Sequence, residues 1–421
     1  MHDDDLERPD GADANDQWSR YQGGFRIDYA PSAVDSATLQ GDVYHGQETL
    51  LTSLSGADLV ARWNHQWASG GSLQVQAYVD HIQRGADLTG GVPLWVNTFD
   101  LDMQHNFTLG RRNTVVWGAG LRISRYRIDN TPSLLFEPPQ RTLDLSNLFV
   151  QDTYALTGSA KVIAGLKLEN DPYSGPTLLP NLRISWAPTQ NGMVWAAVSR
   201  AIRSPTPFDV DVLEKSGSDV LLKGDPDFRT EKLTAFETGG RLQLSDRASI
   251  SVSGFYNLYH DIRSIEVQPV VFYPLQWGNG IEGHAYGVDA WGGYQAASWW
   301  RLSAGVSLLR QHLKFKPGAS APFIGTAQAG DDPEAQLVLR SFMNLGPRVT
   351  LDTDLRHVSA LPDPHVPAYT EMDARLGWNV TRRLRLSLSG LNLIHSRHLE
   401  NPAAWSAAVP RSVYADLRLR F

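Results

Sequence analysis

The 421-residue chain contains no cysteine, which removes disulfide frameworks and thiolate chemistry from the functions open to it. It has no run of about 18 apolar residues, so no transmembrane helix is expected. A membrane barrel stays open, because its strands alternate lipid-facing and lumen-facing residues and keep the mean hydropathy of a soluble protein. Met1–Gly11 is acidic and polar, without the basic start and apolar stretch of a secretory signal. Cations and anions are interspersed at a net charge of -7 rather than gathered into a basic stripe, which disfavours a nucleic-acid partner.

What the chain does have is alternation. Its hydrophobic residues, 42% of the total, recur with a period close to two, which argues for strands over helices. Leu73, Val75, Ala77 and Val79 fall on one face and Gln74, Gln76, Tyr78 and Asp80 on the other. The same holds for Val162–Leu168, for Ile250, Val252, Gly254 and Tyr256, and for Leu384, Leu386, Leu388 and Gly390. The alternating segments run to about ten residues, the length that crosses a bilayer at a tilt, where strands of soluble proteins are nearer five or six. About nineteen strands are expected, the first near 17–30 and the last near 408–421.

The links between them alternate in length. Thr157–Ser159, Ser245–Arg247 and Gly346–Pro347 are tight, whereas Arg203–Arg229, Gln268–Gly280, Phe315–Asp332 and Ser396–Ala407 are long. Short turns on one side and long loops on the other are what a transmembrane antiparallel β-barrel requires. A large soluble all-β protein is the competing reading. Trp63, Trp67, Trp299 and Trp300 fall beside short turns, where an inner aromatic girdle would sit; Trp95 and Trp277 fall near long loops. An odd strand number leaves the first and last strands pointing the same way, unable to close antiparallel. The expected division is therefore a polar loop remnant over 1–16 and a barrel over 17–421 that lacks about three leading strands.

Several stretches resemble TonB-dependent outer-membrane receptors. Leu148–Tyr154 (LFVQDTY) is similar to that family's F-x-Q-D strand, and Val194–Phe208 (VWAAVSRAIRSPTPF) to its strand ending in an Arg-x-Pro turn. Gly224–Leu244 resembles the N-P-x-L-x-P-E segment, with Asp225 and Thr230 where Asn and Pro are usual. Asn279–Gly293 resembles the Y-G-x-E strand, with Asp289 for Glu, and Leu391–His398 resembles the closing N-L turn. In the last strand Val413, Ala415, Leu417, Leu419 and the terminal Phe421 share a face, which resembles the assembly signal read by the barrel assembly machinery. The resemblance covers the barrel portion alone, with no plug domain and about 19 of the 22 strands such receptors have.

The resemblance implies energised uptake of a scarce nutrient across the bacterial outer membrane, most often an iron–siderophore complex. The partners it implies are outer-membrane lipid, that ligand, and TonB, reached only through the missing plug segment. It implies no cofactor and no catalysis. Ligand contact is expected in the loops between Arg203 and Arg229, Gln268 and Gly280, and Phe315 and Asp332. Asp352 and Asp354 share a strand face with Thr350 and Arg356, as a charged lumen wall would. His395 and His398 have a spacing that could suit a metal but lack a third ligand, so a rim role is expected and no metal site. A plugless passive pore or surface-binding barrel is the alternative function.

Overall fold

The computed structural model describes residues 2–3, 13, 17–48, 52–85, 92–267, 273–320, 325–330, 332–363, 365–401 and 408–420. Period-two patterning resolves into long strands, each hydrogen-bonded antiparallel to the next. In chain order they are β1 (Trp18–Tyr29), β2 (Asp35–Glu48), β3 (Ser53–Gln66), β4 (Ser72–Arg84), β5 (Leu94–Leu109), β6 (Asn113–Ile128) and β7 (Gln140–Ala155). Next come β8 (Ala160–Asp171), β9 (Gly175–Thr189), β10 (Gly192–Arg203), β11 (Glu231–Ser245), β12 (Ala248–Glu266) and β13 (Leu275–Ala297). The last six are β14 (Trp300–Phe315), β15 (Ala335–Asn344), β16 (Val349–Val358), β17 (Tyr369–Asn379), β18 (Leu384–Leu391) and β19 (Ser412–Leu419). These nineteen and four short segments make one 23-stranded sheet.

The side chains sort as a membrane wall demands. Tyr21, Phe25, Ile27 and Tyr29 on β1, Leu178, Leu182 and Ile184 on β9, and Ile250, Val252 and Tyr256 on β12 are exposed on one face. So continuous an apolar surface is far beyond what a soluble monomer leaves to water, and no second sheet or helical layer covers it among the described residues. The opposite face carries cross-strand polar pairs: Arg62 Nε to Gln76 Oε1 at 2.9 Å, Arg122 Nε to Asp100 Oδ2 at 2.9 Å, and Arg340 Nε to Asp354 Oδ2 at 2.5 Å. Asp354 thus belongs to the charged wall.

Trp63, Trp67 and Trp299 stand exposed beside short turns, together with Trp186 and Trp378, where an inner girdle would sit. Trp300 differs. It is half-buried, with Nε1 donating to Ser341 Oγ at 2.9 Å.

Three expectations need correction. The alternation of link lengths is not strict: β2 and β3 are joined by four residues and β8 and β9 by three, although both links lie on the long-loop side. β18 was expected to reach residue 395 but ends at Leu391, because Asn392 takes a positive φ of 55° and turns the chain out of the sheet. Arg203–Arg229 is not a plain loop, as described below. β1 and β19 both run from the long-loop end to the short-turn end, and no pairing joins them among the described residues.

Candidate functional site

The long-loop mouth is organised by the segment between β10 and β11. Pro207–Val210 makes one α-helical turn, with Pro at its first position, where a missing N–H costs nothing. The strands Val212–Ser216 and Asp219–Lys223 then form a hairpin turning at Gly217, whose φ of 60° favours glycine. The hairpin is held from both sides: Val212–Glu214 pairs antiparallel with Leu134–Phe136, and Leu222–Lys223 pairs parallel with Leu275–Gln276. Tyr126, Ile128, Phe136, Val212, Leu222, Phe228 and Trp277 bury a small apolar core beneath it.

Asp209 fastens the helical turn. Its fully buried carboxylate accepts Arg203 Nη1 at 3.0 Å, Arg263 Nη1 at 3.2 Å, and both N and Oγ1 of Thr206 at 2.9 Å. Arg203 Nη2 also reaches Glu231 Oε1 at 2.7 Å. Burial pushes the Asp209 carboxyl up, but the hydrogen bonds from Arg203 and Thr206 outweigh it, and the group lies below the usual carboxylate range. Asp211 is displaced the other way: burial lifts it above that range, against Arg141 and Tyr126. Arg203 and Glu231 come from two of the family-like stretches, so those stretches meet in one ionic knot.

All three loop regions singled out in the sequence converge beside this knot. A polar cleft of about 430 Å³ is lined by Asp225, Asp227 and Arg229 from the first, by Gln276, Trp277, Gly278 and Asn279 from the second, and by Ser320 from the third, around Glu266. Asp261, in a left-handed conformation with φ 62°, ties the regions together. It pairs with Lys232 at 2.8 Å, with Arg229 at 3.5 Å, and with Lys316, which also donates to Asn279 O at 2.6 Å. Glu266 accepts Ser264 Oγ and Ser320 Oγ, each at 2.9 Å. A Cβ on Gly278 or Gly280 would stand 2.6 or 2.5 Å from Glu266 Oε1, so only glycine lets that carboxylate lie against the strand. Trp277 is nine-tenths buried, its indole N–H has no acceptor among the described residues, and Arg263 lies 4.5 Å above its ring. The cleft is lined by the carboxylates of Asp225, Asp227 and Glu266, the Arg229 guanidinium and the Trp277 ring. Residues 268–272 and 321–324 of the expected loops lie outside the described residues.

His395 and His398 sit at the same rim. His395 Nδ1 lies 2.7 Å from Glu371 Oε1, and His398 Nε2 lies 2.8 Å from Glu400 Oε1. Glu371 is fully buried and also accepts Ile394 N at 3.2 Å. The contacts to Glu371 strap the last loop to β17, and the His398–Glu400 pair closes the loop on itself. No group of three or more His, Asp, Glu or Cys is arranged to hold a metal ion among the described residues. Glu371, Asp209 and Asp261 were not anticipated. Their partners are distant in sequence, and an isolated carboxylate carries no periodic signal.

The family model for the TonB-dependent receptor-like β-barrel matches residues 2–393. The chain belongs to that family. Comparison with curated proteins found no match. Among solved structures, the receptor barrel is similar to the siderophore receptor PirA from Pseudomonas aeruginosa, at TM-score 0.78 and 14% identity, covering 96% of this chain and 71% of that one. A mutant of the ferric enterobactin receptor PfeA from Pseudomonas aeruginosa gives TM-score 0.79 at 14% identity, covering 99% and 71%. The copper transporter OprC gives 0.75 at 14%, covering 100% and 77%. At such identities the likeness speaks for the fold. The receptor barrel is an outer-membrane protein. In the last strand both faces are exposed, Val413, Ala415, Leu417 and Leu419 included, and Phe421 lies outside the described residues.

Proposed function

We propose that the chain is the wall of a receptor for energised uptake of a scarce nutrient, an iron–siderophore complex first among the classes, and that ligand is captured in the cleft around Trp277 and Arg229. The observation that carries this reading is the convergence of three separate loops on one polar cleft at the outer mouth. Structural neighbours include siderophore receptors and a copper transporter, so chelated or free transition metals are the ligands to test first. The wall performs no covalent chemistry in this reading. Nineteen strands with parallel ends would be completed by further strands, and TonB would act through a plug segment rather than through the wall. The C-terminal segment Val413–Phe421 would be read by the assembly machinery.

The test is a fluorescence titration of the refolded full chain with ferric catecholate, ferric hydroxamate and cupric ion. Saturable quenching is expected for one of them, weakened at least tenfold by Trp277→Ala and by Arg229→Ala; no saturable quenching by any would overturn the cleft assignment. In cells, the chain alone is expected not to restore ligand-dependent growth. Growth equal to that of a full-length receptor would favour a self-sufficient pore.

A further inference from the structure

On the outward face of β12 to β17 the sheet carries a recess. Ala290 and Gly292 on β13 stand opposite Val306 and Ala304 on β14, and these small side chains are flanked by Ile250, Leu337 and Leu339. The result is an apolar groove of about 610 Å³. A step in the sheet opens its upper end. β14 continues to Phe315, whereas β15 begins at Ala335, opposite Leu308. Leu309–Phe315 therefore projects about 23 Å past its neighbour, at ~3.3 Å per residue.

Along that projecting edge the outward residues change character. Above Leu308 come Arg310, His312 and Lys314, opposite Tyr286, His284 and Glu282 on β13. Their rings form one cluster: His284 to His312 at 5.1 Å, Tyr256 to His284 at 5.5 Å and Tyr286 to His312 at 6.0 Å. Lys314 lies 3.4 Å from Glu282, with its side chain 72% exposed, and Arg310 pairs with Glu334 while 53% exposed. A plain interfacial girdle needs tyrosine and tryptophan. It does not need two imidazoles, a guanidinium and an ammonium directly above an acyl-sized slot.

We propose that this face binds a phosphate-bearing lipid of the outer leaflet, with one acyl chain in the groove and the phosphate on Arg310, His312 and Lys314. The groove faces hydrocarbon, which makes acyl chains its medium, and its upper end lies at headgroup level. Glu334 and Glu282 steady the two cations and leave donors over: a guanidinium has five N–H groups, an ammonium three, and each neutral imidazole one. A second copy of the chain fits less well. Its apolar wall would bury Arg310 and Lys314 with no anion to replace their hydration.

The test is native mass spectrometry of the full chain released from a neutral-headgroup detergent. It is offered an acylated glycolipid bearing phosphate, the same glycolipid dephosphorylated, and inorganic phosphate. The phosphorylated lipid is expected to be retained at least tenfold better than its dephosphorylated form. That preference should vanish in the Arg310→Ala/Lys314→Ala double variant, while Ala304→Phe, which fills the groove, should weaken both lipids. Lys314→Gln, at an exposed site, replaces the double variant if the latter loses its β-sheet circular dichroism. Equal retention of the two lipids, undiminished retention by the charge variant, or a dimer mass that displaces lipid would each overturn the proposal. The readout does not involve the outer cleft, so it stands or falls apart from nutrient binding.

Discussion

The Asn279 side chain grips the backbone of Arg229 as a neighbouring strand would: its Oδ1 accepts Arg229 N at 2.8 Å and its Nδ2 donates to Arg229 O at 3.0 Å. Nδ2 also donates to Asp261 O at 2.7 Å, so one amide joins two loops to β12. Asn279→Ala removes all three bonds at a local cost of about 1–3 kcal/mol. Hydrogen exchange at residues 225–230 is expected to speed up while thermal unfolding of the wall stays put. Asn279→Asp, which keeps the acceptor and loses the donors, should fall between. Unchanged exchange in both variants would show that the loops are held elsewhere.

Asp209 makes the mouth acid-sensitive. Its carboxyl lies below the usual range, so its stabilising effect is complete above the ordinary carboxylate pKa and is lost as pH falls through the lower, folded value. Asp211 has the opposite sign. With its carboxyl raised by burial, the stability gained by protonating it is present at low pH and lost as pH rises through the raised value. Trp277 emission should therefore hold as pH falls through the ordinary carboxylate range and change only below it.

Asp209→Asn removes the carboxylate that Arg203 and Arg263 share and leaves Arg203 its bond to Glu231. Losing these charge-assisted bonds, with both arginines partly open to solvent, costs about 1–3 kcal/mol, enough to loosen the helical turn at neutral pH. Protease cleavage between Arg203 and Arg229 in the variant, and none in the parent, would register that loosening. Equal resistance would assign the turn's stability to the apolar core.

On the lumen face Asp42, Asp58 and Asp80 stand directly opposite one another on three adjacent strands. Like charges in such register repel, at up to about 1 kcal/mol per pair. Asp58→Asn should raise the urea midpoint of the chain in micelles, and a lowered midpoint would mean that the row binds a compensating cation.

Leu182 lies mid-strand on β9 and is exposed on the apolar face. Leu182→Arg should cost about 2–4 kcal/mol in a bilayer and less in solution. Arg183, on the other face, lies 5.8 Å from the Trp195 ring, and Arg183→Gln should be nearly silent by comparison. A reversed ranking, read from folding in lipid vesicles, would exchange the two faces of the wall.

The nineteen strands were legible in the sequence because a wall between lipid and lumen forces every second side chain to one face, and that constraint is local. The exposed row of Ile250, Val252 and Tyr256 could be read from spacing alone. The hairpin 212–223 was missed although Gly217 and Ser218 signal its turn. Its strands are short and pair with Leu134–Phe136 and Leu275–Gln276, far away in the chain.

By itself, then, the sequence determined the strand pattern and the polarity of the two faces, because each of these follows from neighbours in the chain. Only the tertiary structure decided that Asp209 gathers Arg203 and Arg263, that Asp261 gathers Lys232 and Lys316, and that three loops share the cleft at Trp277. A buried charge is fixed by whichever partners the folded sheet brings within hydrogen-bond reach, and those partners have no spacing to read.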